Sequence, residues 1–196
     1  MIIVHVTYSY YPIIGGIERV VQRLTEEQVK LGHEVHVVTS TYGTESMPKE
    51  DVLNGVYIHR VKSWRLYYSD LTIPKETPRY LLRNADVAHV HSQNGLFNVR
   101  IAEQAMSSGT KVVTHFMAVD SLETHPNIFK RVLGSIYQRA LTKKMLRISD
   151  IVLVKSFRDL KVLKTKYSAT PVYVPDGIDE YYLTKPSNPK LFREKY

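Results

Sequence analysis

Met1-Ile2-Ile3-Val4-His5-Val6, followed by Tyr10-Tyr11-Pro12-Ile13-Ile14-Gly15-Gly16-Ile17-Glu18, is the stretch that decides the fold. The first run reads as a strand and the glycine pair as a turn. Behind it Ile17, Val20, Val21, Leu24, Gln28 and Leu31 recur at helical spacing, and all but Gln28 are apolar, so one face of the helix can pack on a sheet. Gly32 is predicted to end that helix from a left-handed position. Glu34-Val35-His36-Val37-Val38-Thr39 then begins a second strand. The unit is βαβ, and Gly15-Gly16 stands at the mouth of its helix, where unpaired N–H groups and the positive end of the dipole favour a phosphate. A plain strand-to-helix turn, with glycine serving only close packing, is the competing reading at this point.

The pattern repeats along the chain. Residues 42–54 are polar and read as a loop. Val56-Tyr57-Ile58-His59-Arg60-Val61 alternates as a third strand. Residues 62–83 mix Trp64, Tyr67, Tyr68 and Tyr80 with Lys62, Arg65, Lys75 and Arg79, and Pro74 and Pro78 confine any helix there to a short piece ending near Arg83. Further strands are predicted at Ala85-Asp86-Val87-Ala88-His89-Val90-His91, Thr110-Lys111-Val112-Val113-Thr114-His115, Asp150-Ile151-Val152-Leu153-Val154 and Pro171-Val172-Tyr173-Val174. Between them lie three helices. One opens at Asn94-Gly95 and buries Phe97, Ile101 and Ala105. The next is long, starts near Pro126, and carries Phe129, Val132, Leu133, Ile136, Tyr137 and Ala140 as a coherent stripe. The last begins at Ser156, with Asp159 in the position of a capping-box acid. Alternating strands and helices specify an α/β, Rossmann-like, mostly parallel seven-stranded sheet with helices on both faces. Ligands of such sheets bind beyond the carboxyl ends of the strands, where the strand order reverses.

Composition narrows the function classes. With 43% hydrophobic and 23% charged residues the chain is an ordinary globular one. It has no apolar run near the ~18 residues of a membrane span and no signal-peptide pattern at its start, so the expected setting is cytoplasmic. The absence of cysteine rules out disulfides and thiolate metal sites. A formal charge of +8 permits anionic partners such as phosphorylated ligands, nucleic acid or an anionic membrane surface, and equally a solvated basic surface.

The motifs exclude more than they fix. The first loop lacks G-x-G-x-x-G, and the second strand ends in Val38-Thr39-Ser40-Thr41 without a ribose-binding acid, which disfavours NAD. There is no P-loop, no G-x-S-x-G elbow and no D-x-D pair. His91 and His115 each end a strand on the ligand side, where imidazole can donate to a sugar hydroxyl or phosphate oxygen; a histidine merely satisfied at a strand end is the plain alternative. His89-x-His91 puts two imidazoles on one strand face, but no third ligand stands at diagnostic spacing, so no metal is expected. The aromatic and basic residues of 62–83 suit a membrane interface or an excursion whose rings pack on the domain. No nucleic-acid fold signature accompanies them, and nucleic acid is not expected as a partner.

Six motifs in order resemble the N-terminal domain of a family-4 retaining glycosyltransferase of the two-domain GT-B architecture. They are Tyr11-Pro12-Ile13-Ile14-Gly15-Gly16-Ile17-Glu18, Gly32-His33-Glu34-Val35-His36-Val37-Val38-Thr39, Asp86-Val87-Ala88-His89-Val90-His91, Thr114-His115, Ser149-Asp150-Ile151-Val152-Leu153-Val154-Lys155-Ser156 and Val174-Pro175-Asp176-Gly177-Ile178-Asp179. The first of them, with His91-Ser92, is similar to enzymes that glycosylate phosphatidylinositol-type lipids. The resemblance implies a nucleotide-sugar donor, a saccharide or lipid acceptor, retention of the anomeric configuration, and neither cofactor nor metal. It implies that Gly15 and Gly16 lie against the donor diphosphate, that His115 contacts the donor sugar or the reacting centre as the catalytic residue, and that Tyr10, Tyr11, Glu18, His91 and Ser92 line the acceptor side. Asp176 stands where the family usually has Asn. Residues 1–174 are expected to form the domain and 175–196 to begin an interdomain linker. The nucleotide-binding second domain is expected to be missing from this chain, which alone would be folded and inactive. A lipid- or anionic-surface-binding domain without catalysis, peripheral at the inner face of the membrane, is the alternative function.

Overall fold

The computed structural model describes residues 1–177 and Arg193; most of the expected linker, including Ile178 and Asp179, lies outside the described residues. Its centre is an eight-stranded sheet. The strands are β1 (Ile2–Val6), β2 (Glu34–Ser40), β3 (Glu50–Leu53), β4 (Val56–Val61), β7 (Val87–His91), β8 (Lys111–Phe116), β9 (Ile151–Val154) and β10 (Val172–Tyr173), with β5 (Ser63–Arg65) and β6 (Thr72–Pro74) forming a separate two-stranded ribbon. The order is β10-β9-β8-β7-β1-β2-β4-β3, and only β3 runs antiparallel to its neighbour. The helices are α1 (Gly16–Lys30), α2 (Arg79–Asn84), α3 (Leu96–Ser107), α4 (Ile128–Ile148) and α5 (Phe157–Tyr167).

Right-handed crossovers place the helices. From β1 the chain steps one way to β2 through α1, while from β7 it steps the other way through α3, α4 and α5, so the two sets fall on opposite faces. The packing bears this out. Val21 of α1 shares one core with Val35, Val37 and Ile58, whereas Phe97, Met145 and Leu163 of the other helices share a second core with Val4, Val6 and Val90. The order reverses between β1 and β7, which makes the carboxyl ends of those strands the place for a ligand.

Two local expectations need correction. The sheet has eight strands rather than seven because part of the loop read at 42–54 is β3. Asn54 and Gly55, with φ of 52° and 83°, turn the chain between β3 and β4, and Leu53 pairs with Val56 across that turn. An Asn-Gly pair with two positive φ values is the turn that suits the right-handed twist of a hairpin. Its signal was overshadowed because Glu50-Asp51-Val52-Leu53 is too acidic to read as a strand. The second correction concerns α4. Its stripe at Phe129, Val132, Leu133 and Ile136 is exposed, and the helix instead buries Ser135, Gln138, Leu141, Thr142, Met145 and Ile148.

Gly32 ends α1 as predicted, at φ 83°, with the His33 N–H bonding back to the Gln28 carbonyl at 3.1 Å. Gly55 is under two constraints at once. Its φ is left-handed, and a Cβ there would sit 2.8 Å from Cγ1 of Val29 on α1. Gly55→Ala is therefore expected to destabilise the domain by at least about 1 kcal/mol, read as a lower urea midpoint at unchanged slope. A midpoint equal to the native one would show that neither constraint operates.

Candidate functional site: the crevice between β1 and β7

The crevice is bounded by three loops, residues 7–15 after β1, 92–95 after β7 and 117–120 after β8. Gly15 is the N-cap of α1 and provides no side-chain cap, so the first amides of the helix have no side-chain acceptor. The two glycines differ. Gly15 has an extended backbone that any residue adopts, but a Cβ on it would collide with the Glu18 carboxylate. Gly16 has nothing within 4 Å of where its Cβ would stand. The Glu18 carboxylate is the movable end of a long side chain, so close packing inside the domain dictates glycine firmly at neither 15 nor 16.

The other two loops are strained and heavily anchored. Ser92, Ala118 and Asp120 have φ of 82°, 50° and 53° without being glycine, and such residues persist only where their surroundings hold them. Gln93, fully buried, donates to the Met117 carbonyl and accepts from the Met117 N–H, both at 2.9 Å, extending the β7–β8 ladder with a side chain. Asn98 of α3 donates to the carbonyls of His91 at 2.5 Å and Ser92 at 3.0 Å. Asp159 accepts from the N–H groups of Ala118 and Val119, each at 3.1 Å. The expected capping box is therefore only half present. Ser156 Oγ accepts from Asp159 N at 3.1 Å, while the Asp159 carboxylate serves the loop after β8. Asp120 in turn accepts from the Tyr167 hydroxyl at 2.7 Å.

His115, the last residue but one of β8, lies beside His91, with which it is in register. It is 6% exposed, and its Nε2 has no hydrogen-bond partner. Burial holds its pKa below the usual histidine value; the Asp176 carboxylate opposes this and the Lys155 ammonium adds to it. Lys155 and Asp176 pair with each other at 2.8 Å, next to where the described chain leaves the sheet.

Four histidines share one sheet face: His5 lies opposite His89 and His91 opposite His115. Gln28, the one polar member of the α1 stripe, turns in and meets His5 Nε2 at 2.6 Å. With the Gln28 oxygen as acceptor, His5 carries its proton on Nε2 and its Nδ1 accepts from His91 Nε2, 2.9 Å away. His91 Nδ1 is left bare and buried. The expectation that His89 and His91 find no third ligand is thereby corrected, since His5 brings a ring nitrogen within 4.8 Å of both. Both nitrogens of His5 are nevertheless engaged, and its ring stacks on that of His91 with 15° between the planes. His89 Nε2, like His91 Nδ1, is buried without a hydrogen-bond partner among the described residues.

The structure sorts the remaining expected residues. Tyr10 is 1% exposed, and its hydroxyl lies 3.3 Å from Thr25 of α1. It is a core residue that ties down the loop from within, which corrects its assignment to the acceptor side. His91 is fully buried in the histidine row and supports the crevice without lining it. Tyr11 is exposed and Glu18 half-buried at the helix mouth, while Ser92 supplies its strained backbone and an oxygen that accepts from Asn94 N at 3.2 Å. Gln93, Asn98 and Gln28 were missed. Only Gln28 left a trace in sequence, as a polar intruder in an apolar stripe. A separate hollow of about 580 Å³, lined by Ile73, Arg79, Arg100, Glu103 and neighbours, lies against the later turns of α3 and so away from the strand ends.

A profile described as Glycosyltransferase Family 4 matches residues 14–181, and the chain belongs to that family. Its fold is that of one domain of the two-domain GT-B glycosyltransferases. Sucrose-phosphate synthase from Thermosynechococcus elongatus superposes on all of the chain with a TM-score of 0.68 at 15% identity, and the chain covers 52% of it. UGT2 of Phytolacca americana, solved with UDP-2-fluoro-glucose and pterostilbene, matches 95% of the chain with a TM-score of 0.50 at 13% identity, and 57% of that protein is covered. At such identities the likeness is one of fold. The chain spans about half the length of both proteins. Among curated proteins none matches.

The histidine row makes stability depend on pH. Burial lowers His5 to about 4, offset in part by its bond to Gln28, and lowers His89 and His91 well below the usual value. As pH falls below 6.5 the unfolded chain takes up protons that the folded chain refuses, so stability falls; His5 alone accounts for roughly 3 kcal/mol between pH 7 and pH 4. Urea midpoints are expected to drop steeply through this window, and less steeply in His5→Asn. An identical slope in the variant would mean that His5 titrates normally in the fold.

Proposed function

We propose that this chain supplies the acceptor-side half of the cleft of a retaining glycosyltransferase, which moves a sugar from a nucleotide-sugar donor to a saccharide or lipid acceptor. Family membership supports the reaction class. The single observation that carries the site is the open helix mouth at Gly16, set across the sheet reversal from the buried, unpartnered Nε2 of His115.

In this reading the amides at Gly15 and Gly16 face the donor diphosphate. They stabilise negative charge that grows on the leaving group as the glycosidic bond to the donor breaks. His115, held neutral by burial, hydrogen-bonds the donor sugar at the reacting centre. The departing phosphate receives the proton of the acceptor hydroxyl, so no metal or cofactor is required. Tyr11, Glu18 and the strained turn at Ser92 border the acceptor. The nucleotide is held by a second domain outside this chain, and the chain alone is inactive. The protein works in the cytoplasm, at the inner face of a membrane where the acceptor is a lipid. Among the described residues no helix is long and apolar enough to cross one.

In the full-length enzyme, His115→Ala is expected to lower sugar transfer by at least about 100-fold while leaving the urea midpoint near that of the unmodified protein. Near-native turnover would remove His115 from the reacting centre. Equal losses of activity and stability would make it a structural residue.

A further inference from the structure

The first three turns of α4 carry an apolar face that no described residue covers. Ile128, Phe129, Val132, Leu133 and Ile136 stand at i, i+1, i+4, i+5 and i+8, on one side of the helix, and are 52–76% exposed. They are not frayed core residues, because the helix buries a different side through Ser135, Gln138 and Leu141. A contiguous exposed face of this kind marks a surface that meets something.

The loop between β5 and β6 extends the face. Tyr67 is 90% exposed, and the Lys130 ammonium lies 5.6 Å from the ring centroid of Tyr68. The Tyr137 hydroxyl, 3.1 Å from the Asp70 carbonyl, joins the same loop to α4 two turns further on. Helix and loop therefore form one surface.

Its charge selects the partner. Residues 125–136 include Lys130 and Arg131 and no acid; the loop between β5 and β6 brings one acid, Asp70, half-buried and with its carboxyl held above the usual range by that burial, while its Arg65 is engaged over the Tyr42 ring and on Thr72. A second copy of this chain, docked by the same face, would present the same Lys130 and Arg131 and no acid from residues 125–136 to meet them. An anionic bilayer has the opposite complement. It takes aliphatic and phenyl side chains below its headgroups, seats tyrosine rings at the interface and pairs the cations with lipid phosphates.

We propose that the exposed face of α4, together with the Tyr67–Tyr68 loop, docks the protein on an anionic lipid surface. The surface is distinct from the crevice and its function does not depend on the transfer reaction.

Co-sedimentation of the full-length protein with phosphatidylcholine vesicles, and with vesicles of equal parts phosphatidylcholine and phosphatidylglycerol, tests this. Preferential binding to the mixed vesicles is expected. The double variant Phe129→Glu, Leu133→Glu should weaken it by at least about tenfold, and Lys130→Glu, Arg131→Glu should weaken binding to the mixed vesicles by a similar factor while sparing any binding to the neutral ones. Circular dichroism establishes that each variant is folded. Equal binding to both vesicle types, or binding untouched by Phe129→Glu, Leu133→Glu, overturns the proposal. So does a dimer in sedimentation velocity that this variant dissociates, which would make a second copy the occupant. Vesicle binding by a protein without transferase activity would uphold the proposal and remove the transfer reading. Transfer to a soluble acceptor with no vesicle binding would do the reverse.

Discussion

The domain depends on β1 being paired in parallel on both sides, with β2 on one flank and β7 on the other. Chain leaving β1 for α1 and chain leaving β7 for α3 diverge to opposite faces, so their loops part and leave a crevice at the carboxyl edge. That edge buries polar backbone, and buried polar groups are costly unless paired. The pairing comes from side chains aimed at main chain: Gln93 on Met117, Asn98 on His91 and Ser92, Asp159 on Ala118 and Val119. They hold three left-handed non-glycine residues in place around an otherwise open helix mouth. Support and site are the same set of bonds, and the fold keeps the crevice in shape without filling it.

The histidine row belongs to this support. Strand pairing stacks four imidazoles on the α1 side of the sheet, and burial keeps them uncharged. Gln28 orients His5, and His5 orients His91. The consequence is a domain whose central strands tolerate neutral pH well and acid poorly, since protonation is opposed by the packing that defines the fold.

Much of the architecture was legible because it is local. Period-two runs gave the parallel strands, Gly32 gave the end of α1, and alternation of strand and helix gave the class. What was hidden is non-local or depends on which neighbours exist. Hydrophobic period locates an apolar face but not what covers it, so the stripe on α4 was readable while its exposure was not. Glu50-Asp51-Val52-Leu53 is a strand because Arg60, buried between them, reaches Asp51 at 3.1 Å and the Pro48 carbonyl at 2.9 Å, a bond that sequence spacing cannot show. The contact of His5 with His91 spans 86 residues. Glycine at 15 and 16 and histidine at 115 were visible as residue types, and the structure sets them at the mouth of α1 and near the end of β8. Tyr10 was visible too, but sequence alone does not show whether a tyrosine after a strand turns outward to solvent or, as here, inward to Thr25.

The central claim is that the β1–β7 crevice of this family-4 domain is the place where the donor diphosphate and sugar meet the acceptor. A structure of the full-length protein with a nucleotide-sugar bound tests it most directly. The expected result is phosphate oxygens within hydrogen-bond reach of the amides at Gly15 and Gly16, with the sugar against His115. A donor seated elsewhere, for example in the hollow beside the later turns of α3, with Gly16 facing solvent, would contradict it.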